Sequence, residues 1–468
     1  MILIASPPQA TQVTIYNQGF ALVKETRTVD LRAGRQQVAI EDVAEKIEPT
    51  SVGIRATSGR RVFELLEQNY RYDLISVQAI LSKAVGGRVA FNRALTDGRR
   101  ERIEGVLLSA PTAVVGTMQG EAGREYTGMV LRTDDGRILL SPSGEVEVAA
   151  LPEGLISRPS LLWDLQVLES GSTEIELSYL TQGIRWEAAY VLTLDGSGKG
   201  GLRGWVTLDN QSGATYRDAT LKLLAGDVAR AREETVQDML MQTKSASQPR
   251  GFQQEQFAEY HLYTLGRPAT VRDREIKQVS LLEADAVPVS KRLVIDAMMQ
   301  YRGWQPQEGE VGTGPIRPQV RIEFMNDKKS NLGMPLPMGK FKVFQLDSSG
   351  SLQMLGEDRI DHTPRDERVS LVVGRAFDIL AERKRLSFEY ITGARGPVGA
   401  RETFSIELRN RKETPEQLVV IERFWGQWQV TNPSSPFKKL DANTVEFVVD
   451  VPAGSTKKLT FGVETRWR

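Results

Sequence analysis

The chain has 468 residues, 40% hydrophobic and 26% charged, a globular balance that excludes wholesale disorder and a membrane-embedded body. Lysine plus arginine and aspartate plus glutamate each number 60, so no net field selects nucleic acid or an anionic membrane. Cysteine is absent, which removes disulfides, thiolate metal sites and cysteine nucleophiles together while leaving the compartment open.

One hydrophobic core does not extend over such a length, and about 100 to 200 residues per domain predicts three or so domains. The opening MILIAS is too short for the apolar segment of a complete signal peptide, so an exported protein would carry its signal outside this numbering. No apolar run reaches the roughly 18 residues of a spanning helix. From Val13 to Ala56, alternation through Phe20, Leu22, Val29 and Leu31, with turn signals at Asn17 to Gly19 and Ala33-Gly34, predicts a small antiparallel sheet. Asp73 reads as the N-cap of a helix carrying Leu74, Val77, Ile80, Leu81 and Val85 at helical spacing, and Gly86-Gly87 stops it. Between Arg99 and Pro152 four short strands recur, with a hairpin signal at Asp135-Gly136, and they predict a small barrel-like module.

The strongest strand pattern runs from Glu174 to Asp227, where alternating apolar residues are cut by glycine turns. Thr243 to Gln256 is polar and glutamine-rich, contains Pro249 and Gly251, and reads as a mobile loop. Strand signals resume at Glu259 and continue to Trp467. Val449 to Gly454 resembles Val29 to Gly34, two short matches that support sandwiches at both ends without proving a duplication. The fold class is therefore mainly β: multidomain antiparallel β-sandwiches of immunoglobulin-like type, a small inserted barrel-like module and one or two short helices. The expected division is an N-terminal β domain with one helix over 1–98, the module over 99–155, a central sandwich over 156–380 and a C-terminal sandwich over 381–468.

Few residues carry chemistry. Gly196 to Gly201 fits G-x-G-x-x-G after a strand, but a strand also follows it, so no helix N-terminus can hold a pyrophosphate and a hairpin turn is the better reading. Only His261 and His362 are present, which excludes a three-histidine metal site. His362 stands among Glu357, Asp358, Asp361, Asp366 and Glu367, an acidic density able to hold a hard cation or supply an acid and a base. Against this, Pro364 breaks the segment and Arg359, Arg365 and Arg368 can pair the acids, so a solvated, salt-bridged loop is favoured. His261, among Tyr260, Leu262 and Tyr263, reads as a core or edge residue. Asn210-Gln211-Ser212 matches a glycosylation acceptor but reads as a turn beside Gly213. Of seven tryptophans, Trp304, between Gly303 and Pro306, is the surface candidate, and Trp163, Trp186, Trp205, Trp425, Trp428 and Trp467 read as core.

The segments LTQGIRWEAAYVLTL, GWVTLDNQSGATYRDATLKLLAGDV and EYHLYTLGRPATVRDREIKQVSLL, with IYNQGFALVKETRTVDL and LGMPLPMGKFKVFQLD, together resemble a bacterial family defined by a domain of unknown function, number 4139, shared with the mucoidy-inhibitor proteins. The resemblance implies a largely β protein, often exported or envelope-associated, with no established catalytic residues to carry over. This chain departs from the mucoidy-inhibitor type in lacking a long charged helical hairpin before the central domain.

The reading that results is a non-catalytic structural or interaction protein of the bacterial envelope, periplasmic or envelope-associated, with a protein partner and without nucleic acid, cofactor, metal or assigned catalytic residue. Edge strands and interdomain grooves would supply its surfaces. Two alternatives stand beside it: a hydrolase of glycan or peptide using the 357–367 acids with His362, with or without a bound cation, and a carbohydrate-binding protein using Trp304.

Overall fold

The computed structural model describes residues 2–94, 99–116, 124–226, 228–229, 252–257, 260–298, 312–394 and 396–467. Strands dominate, in several sheets, and the described residues include one α-helix. No helix among them is long and apolar enough to cross a membrane.

Two β-sandwiches follow one another along the chain and share one strand path. In the first, a sheet runs in the order Gly171–Gln182, Phe20–Leu31, Ala10–Tyr16, Tyr216–Ala225, Tyr260–Leu265 and Phe252–Phe257. It faces a sheet containing Ile184–Leu194, Lys199–Asn210 and Glu275–Pro288. The second sandwich repeats this with Arg368–Arg375, Gln319–Met325, Ser290–Asp296, Glu416–Arg423, Thr444–Val451 and Phe437–Lys439, facing Ile379–Gly393, Gly396–Asn410 and Thr456–Arg466. Each six-strand path contains one parallel pair at the same place, Ala10–Tyr16 with Tyr216–Ala225 and Ser290–Asp296 with Glu416–Arg423. Aromatic contacts close both layers: Trp186 meets Tyr263 edge-on at 6.5 Å, and Phe447 stacks on Phe461 at 5.1 Å.

Each sandwich also carries an insertion at the same point, between its second and third strands. In the first it holds the sheet strands Gly34–Glu41, Ser160–Val167 and Phe63–Arg71, which Ile2–Ile4 joins from ahead of the first strand, together with the module and helix. In the second it is a hairpin, Gly339–Leu346 with Leu352–Ile360, which leaves its own sandwich and adds in parallel to Ile184–Leu194 of the first. Gly339 permits that docking, because a Cβ there would lie 2.4 Å from the Ala188 carbonyl oxygen. The lead-in Pro335 to Met338 covers the first core, and its carbonyls accept from two buried phenols, Tyr190 to Pro337 at 2.8 Å and Tyr263 to Pro335 at 3.1 Å.

Strands of the expected 1–98 and 156–380 units therefore share one sheet and one core, and four strands from 290–375 complete the C-terminal sandwich. The module also takes in Arg88–Ala94, with Leu81 of the helix in its core. Its seven strands run from Ile138–Leu140 to Ala113–Gly116 without closing, so it is an open sheet rather than barrel-like; end strands of three and four residues are too short to bridge a barrel's stagger. The helix is Val77–Lys83, capped by Ser76, whose hydroxyl accepts from Ala79 N at 3.0 Å. Asp73, the expected cap, instead pairs with Lys83 at 2.8 Å, because Leu74 is drawn into a bridge with Ile156. Of the loop expected over 243–256, residues 243–251 lie outside the described residues, whereas Phe252–Phe257 is a strand paired with Tyr260–Leu265.

Where each sandwich turns from Lys199–Asn210 or Gly396–Asn410 into its next strand, a fully buried asparagine holds the corner. Asn210 donates to the carbonyls of Ala214, Val271 and Arg272, and Asn410 to those of Thr414, Val451 and Pro452. The second core also encloses a bidentate pair, Arg383 to Glu422 at 2.8 and 2.9 Å, with the guanidinium 3.9 Å from the Phe404 ring centroid.

Replacing Asn210 or Asn410 by alanine strands buried carbonyls, and each change should cost about 3 kcal/mol in urea unfolding; asparagine to aspartate should not rescue, since a carboxylate cannot donate. Glu422→Ala should cost about 3 to 5 kcal/mol by leaving Arg383 buried and unpaired, and the double change Arg383→Met with Glu422→Leu should recover most of it.

Candidate functional site

The acidic segment is spent on structure. Asp358, on the edge strand Leu352–Ile360, accepts from Val372 N at 2.7 Å, beside the register shift where Arg368–Arg375 bulges against Gln319–Met325. That contact fixes hairpin to second sandwich, and the fit is tight: a Cβ on Gly356 would lie 2.0 Å from the Val373 carbonyl oxygen. Glu357 faces Lys340 across the hairpin at 3.7 Å, and Asp366 pairs with its neighbour Arg365 at 3.0 Å. Asp361 and Glu367 are exposed. The carboxylates do not converge, and among the described residues no group of three or more His, Cys, Asp or Glu side chains could hold a metal ion.

The two histidines, distant in sequence, approach one another at the end of the first sandwich. His362 Nδ1 accepts from Met338 N at 3.1 Å, and its Nε2 lies 3.5 Å from the Asn17 amide nitrogen. Burial first, and the charge of His362 second, hold the His261 imidazole below the usual histidine range. These contacts hold the Pro335 to Met338 lead-in against the turn at Asn17.

The glycine motif is a hairpin turn, in which Asp195 accepts from Ser197 N at 2.8 Å and Lys199 N at 3.1 Å. Asn210 is buried at its corner, inaccessible to glycosylation. Trp304 lies outside the described residues. Trp163 and Trp186 are core as expected, but Trp205 is 40% exposed, because its strand position points to the outer face of the sheet.

A groove lies where two sheet edges meet. Gly53–Ala56 ends the large sheet of the first sandwich, and Phe63–Arg71 ends the four-stranded sheet beside it. The turn between them closes a groove of about 650 Å³ with Ile54, Val62 and Phe63 as its apolar part. Thr57 N bonds to Glu174 O and Leu168 N to Val62 O. By antiparallel alternation these bonds place Ile54 and Phe63 in the non-bonded set, with N–H and C=O turned away from their partner strands. Arg55, Arg60 and Arg61 stand exposed around the groove. Arg55 pairs with Glu176 and Arg61 with Glu64, both at 2.9 Å, and both arginine side chains are more than two-thirds exposed. Arg60 makes no ion pair among the described residues. Nothing in the local sequence marked this groove, because T-S-G-R-R reads only as a polar turn.

Because folding lowers the pKa of His261, the unfolded chain binds more protons than the folded one below about pH 6.5, so stability declines as pH falls through that value. In urea titrations, His261→Gln should remove part of this acid sensitivity, leaving a flatter midpoint between pH 7 and pH 5 than the wild type shows.

Set against models of known families and against curated proteins, the chain matches none.

Proposed function

We propose that this is a non-catalytic interaction protein of the bacterial envelope, which binds a protein partner along its exposed sheet edges. The observation that supports this most directly is the groove between Gly53–Ala56 and Phe63–Arg71, where two sheet edges present backbone donors and acceptors beside Ile54, Val62 and Phe63. An exposed edge is a template for strand addition, and natural proteins that keep one open beside a shaped groove use it for recognition. The rest of the molecule is built as a rigid support: two sandwiches tied by an exchanged hairpin hold this edge in fixed geometry. The envelope assignment rests on the family resemblance and on a cysteine-free composition compatible with that compartment.

The hydrolase reading is not favoured by any comparable observation, since Asp358, Glu357 and Asp366 each serve a local contact.

A photo-crosslinking residue at Thr57, on the groove, should trap a partner in cells, whereas the same residue at Ser349, on a distant hairpin turn, should not. Recovery of the protein in the cytosolic fraction, with no adduct from Thr57, would overturn the proposal.

A further inference from the structure

The chemistry around the groove is more specific than an open edge requires, and it points to the kind of partner. Its lining holds three arginines and one carboxylate, Glu176, on a chain whose overall formal charge is zero. Glu176 is shared between Arg55 at 2.9 Å and Lys24 at 3.6 Å, which leaves the rim cationic. Solvent-exposed ion pairs add little stability, so Arg55 and Arg61 can exchange their present partners for a ligand's carboxylates at little cost. Guanidinium groups suit that exchange through their planar, bidentate donor geometry.

Resting on the interaction reading above, we infer that the groove takes an extended acidic peptide segment, paired through its backbone to the free edge at Ile54, with its carboxylates on Arg55, Arg60 and Arg61. Alternation along an added strand places every second side chain on one face. A segment alternating acidic and small apolar residues would direct its carboxylates to the arginine rim and its apolar side chains to Val62 and Phe63. The backbone polar groups of Ile54 single out a peptide from other polyanions, since a polysaccharide offers no regular row of amides to match them. Arg60, held by no carboxylate among the described residues and raised on the turn beyond Gly59, is placed to make the first electrostatic contact.

The test is a binding titration on the full chain with a fluorescent peptide of alternating glutamate and valine. Binding should weaken as salt rises, and should weaken about tenfold when Arg60→Glu and Arg61→Glu are combined, as expected for loss of cationic rim contacts. Both arginines are exposed, so an unchanged melting temperature should accompany the loss. The same peptide N-methylated at alternate positions keeps its charge but cannot pair with an edge, and it should bind about as weakly. Equal binding of the N-methylated peptide would overturn strand pairing, and equal binding of a lysine-valine peptide would overturn charge selection. Competition by polygalacturonate at matched charge concentration would show that the groove reads charge alone, and would likewise overturn the inference. These outcomes are separable from the broader reading: a Thr57 adduct whose partner segment lacks acidic residues defeats only this inference, whereas the absence of any adduct defeats the interaction role itself.

Discussion

A sandwich must pass its chain from one sheet to the other without leaving buried backbone groups unpaired, and this requirement sets the form of the molecule. A β-strand satisfies its own carbonyls only while it has neighbours. At a corner between sheets the ladder ends inside the core, where an unpaired carbonyl costs what a lost hydrogen bond costs. Asn210 and Asn410 meet that need with one side chain each, donating to three carbonyls from a fully buried position. Asn326 does related work where the second sandwich launches its exchanged hairpin, donating to Met334 and Pro364. Amide side chains suit these corners because they donate and accept without a charge to desolvate.

The charged residues inside the cores follow a harder logic. Glu25 and Arg27 sit on inward positions of Phe20–Leu31, nearly without exposure, and are joined by two hydrogen bonds of 2.9 and 2.7 Å. Burial is the largest influence on Glu25 and pushes its carboxyl above the usual range even against Arg27. Arg27 directs Nη1 to the carbonyls of Ser6 and Glu41, tying the first sandwich to the chain segments that border its inserted sheet. Such pairs add little net stability compared with apolar packing, but either partner alone would be costly. Held by Glu25, Arg27 is placed to bond the Ser6 and Glu41 carbonyls.

The candidate binding groove inherits its rigidity from this framework. Its two edges belong to different sheets, yet both sheets draw strands from the first sandwich and its insertion, and they share one continuous core. The groove thus joins a firm backbone to an adaptable cationic rim of long side chains. The two sandwiches are not interchangeable in this respect, because the insertion of the second has been given to the first as a hairpin.

By itself the sequence determined the β class, the glycine and asparagine turns and the inward phase of the clearest strands, because alternation and turn chemistry act over a few residues. It determined the hairpin nature of Gly196 to Gly201 in the same way. It misled at Phe20–Leu31, where the inward positions after Ala21 and Val23 are Glu25 and Arg27, so the charged pair masked the alternation and Leu22 suggested the opposite phase. The repeat was also hidden: Val29 to Gly34 and Val449 to Gly454 occupy different places in the two strand paths, whereas the true counterparts, Asn210 and Asn410, share little beyond a leucine two residues earlier. Only the tertiary structure decided that Ala10–Tyr16 would pair with Tyr216–Ala225, that a hairpin from one sandwich would complete the other, and that two edges would meet around Arg60. Those outcomes depend on which distant strands bury each other's faces, and a local pattern carries no record of its partner.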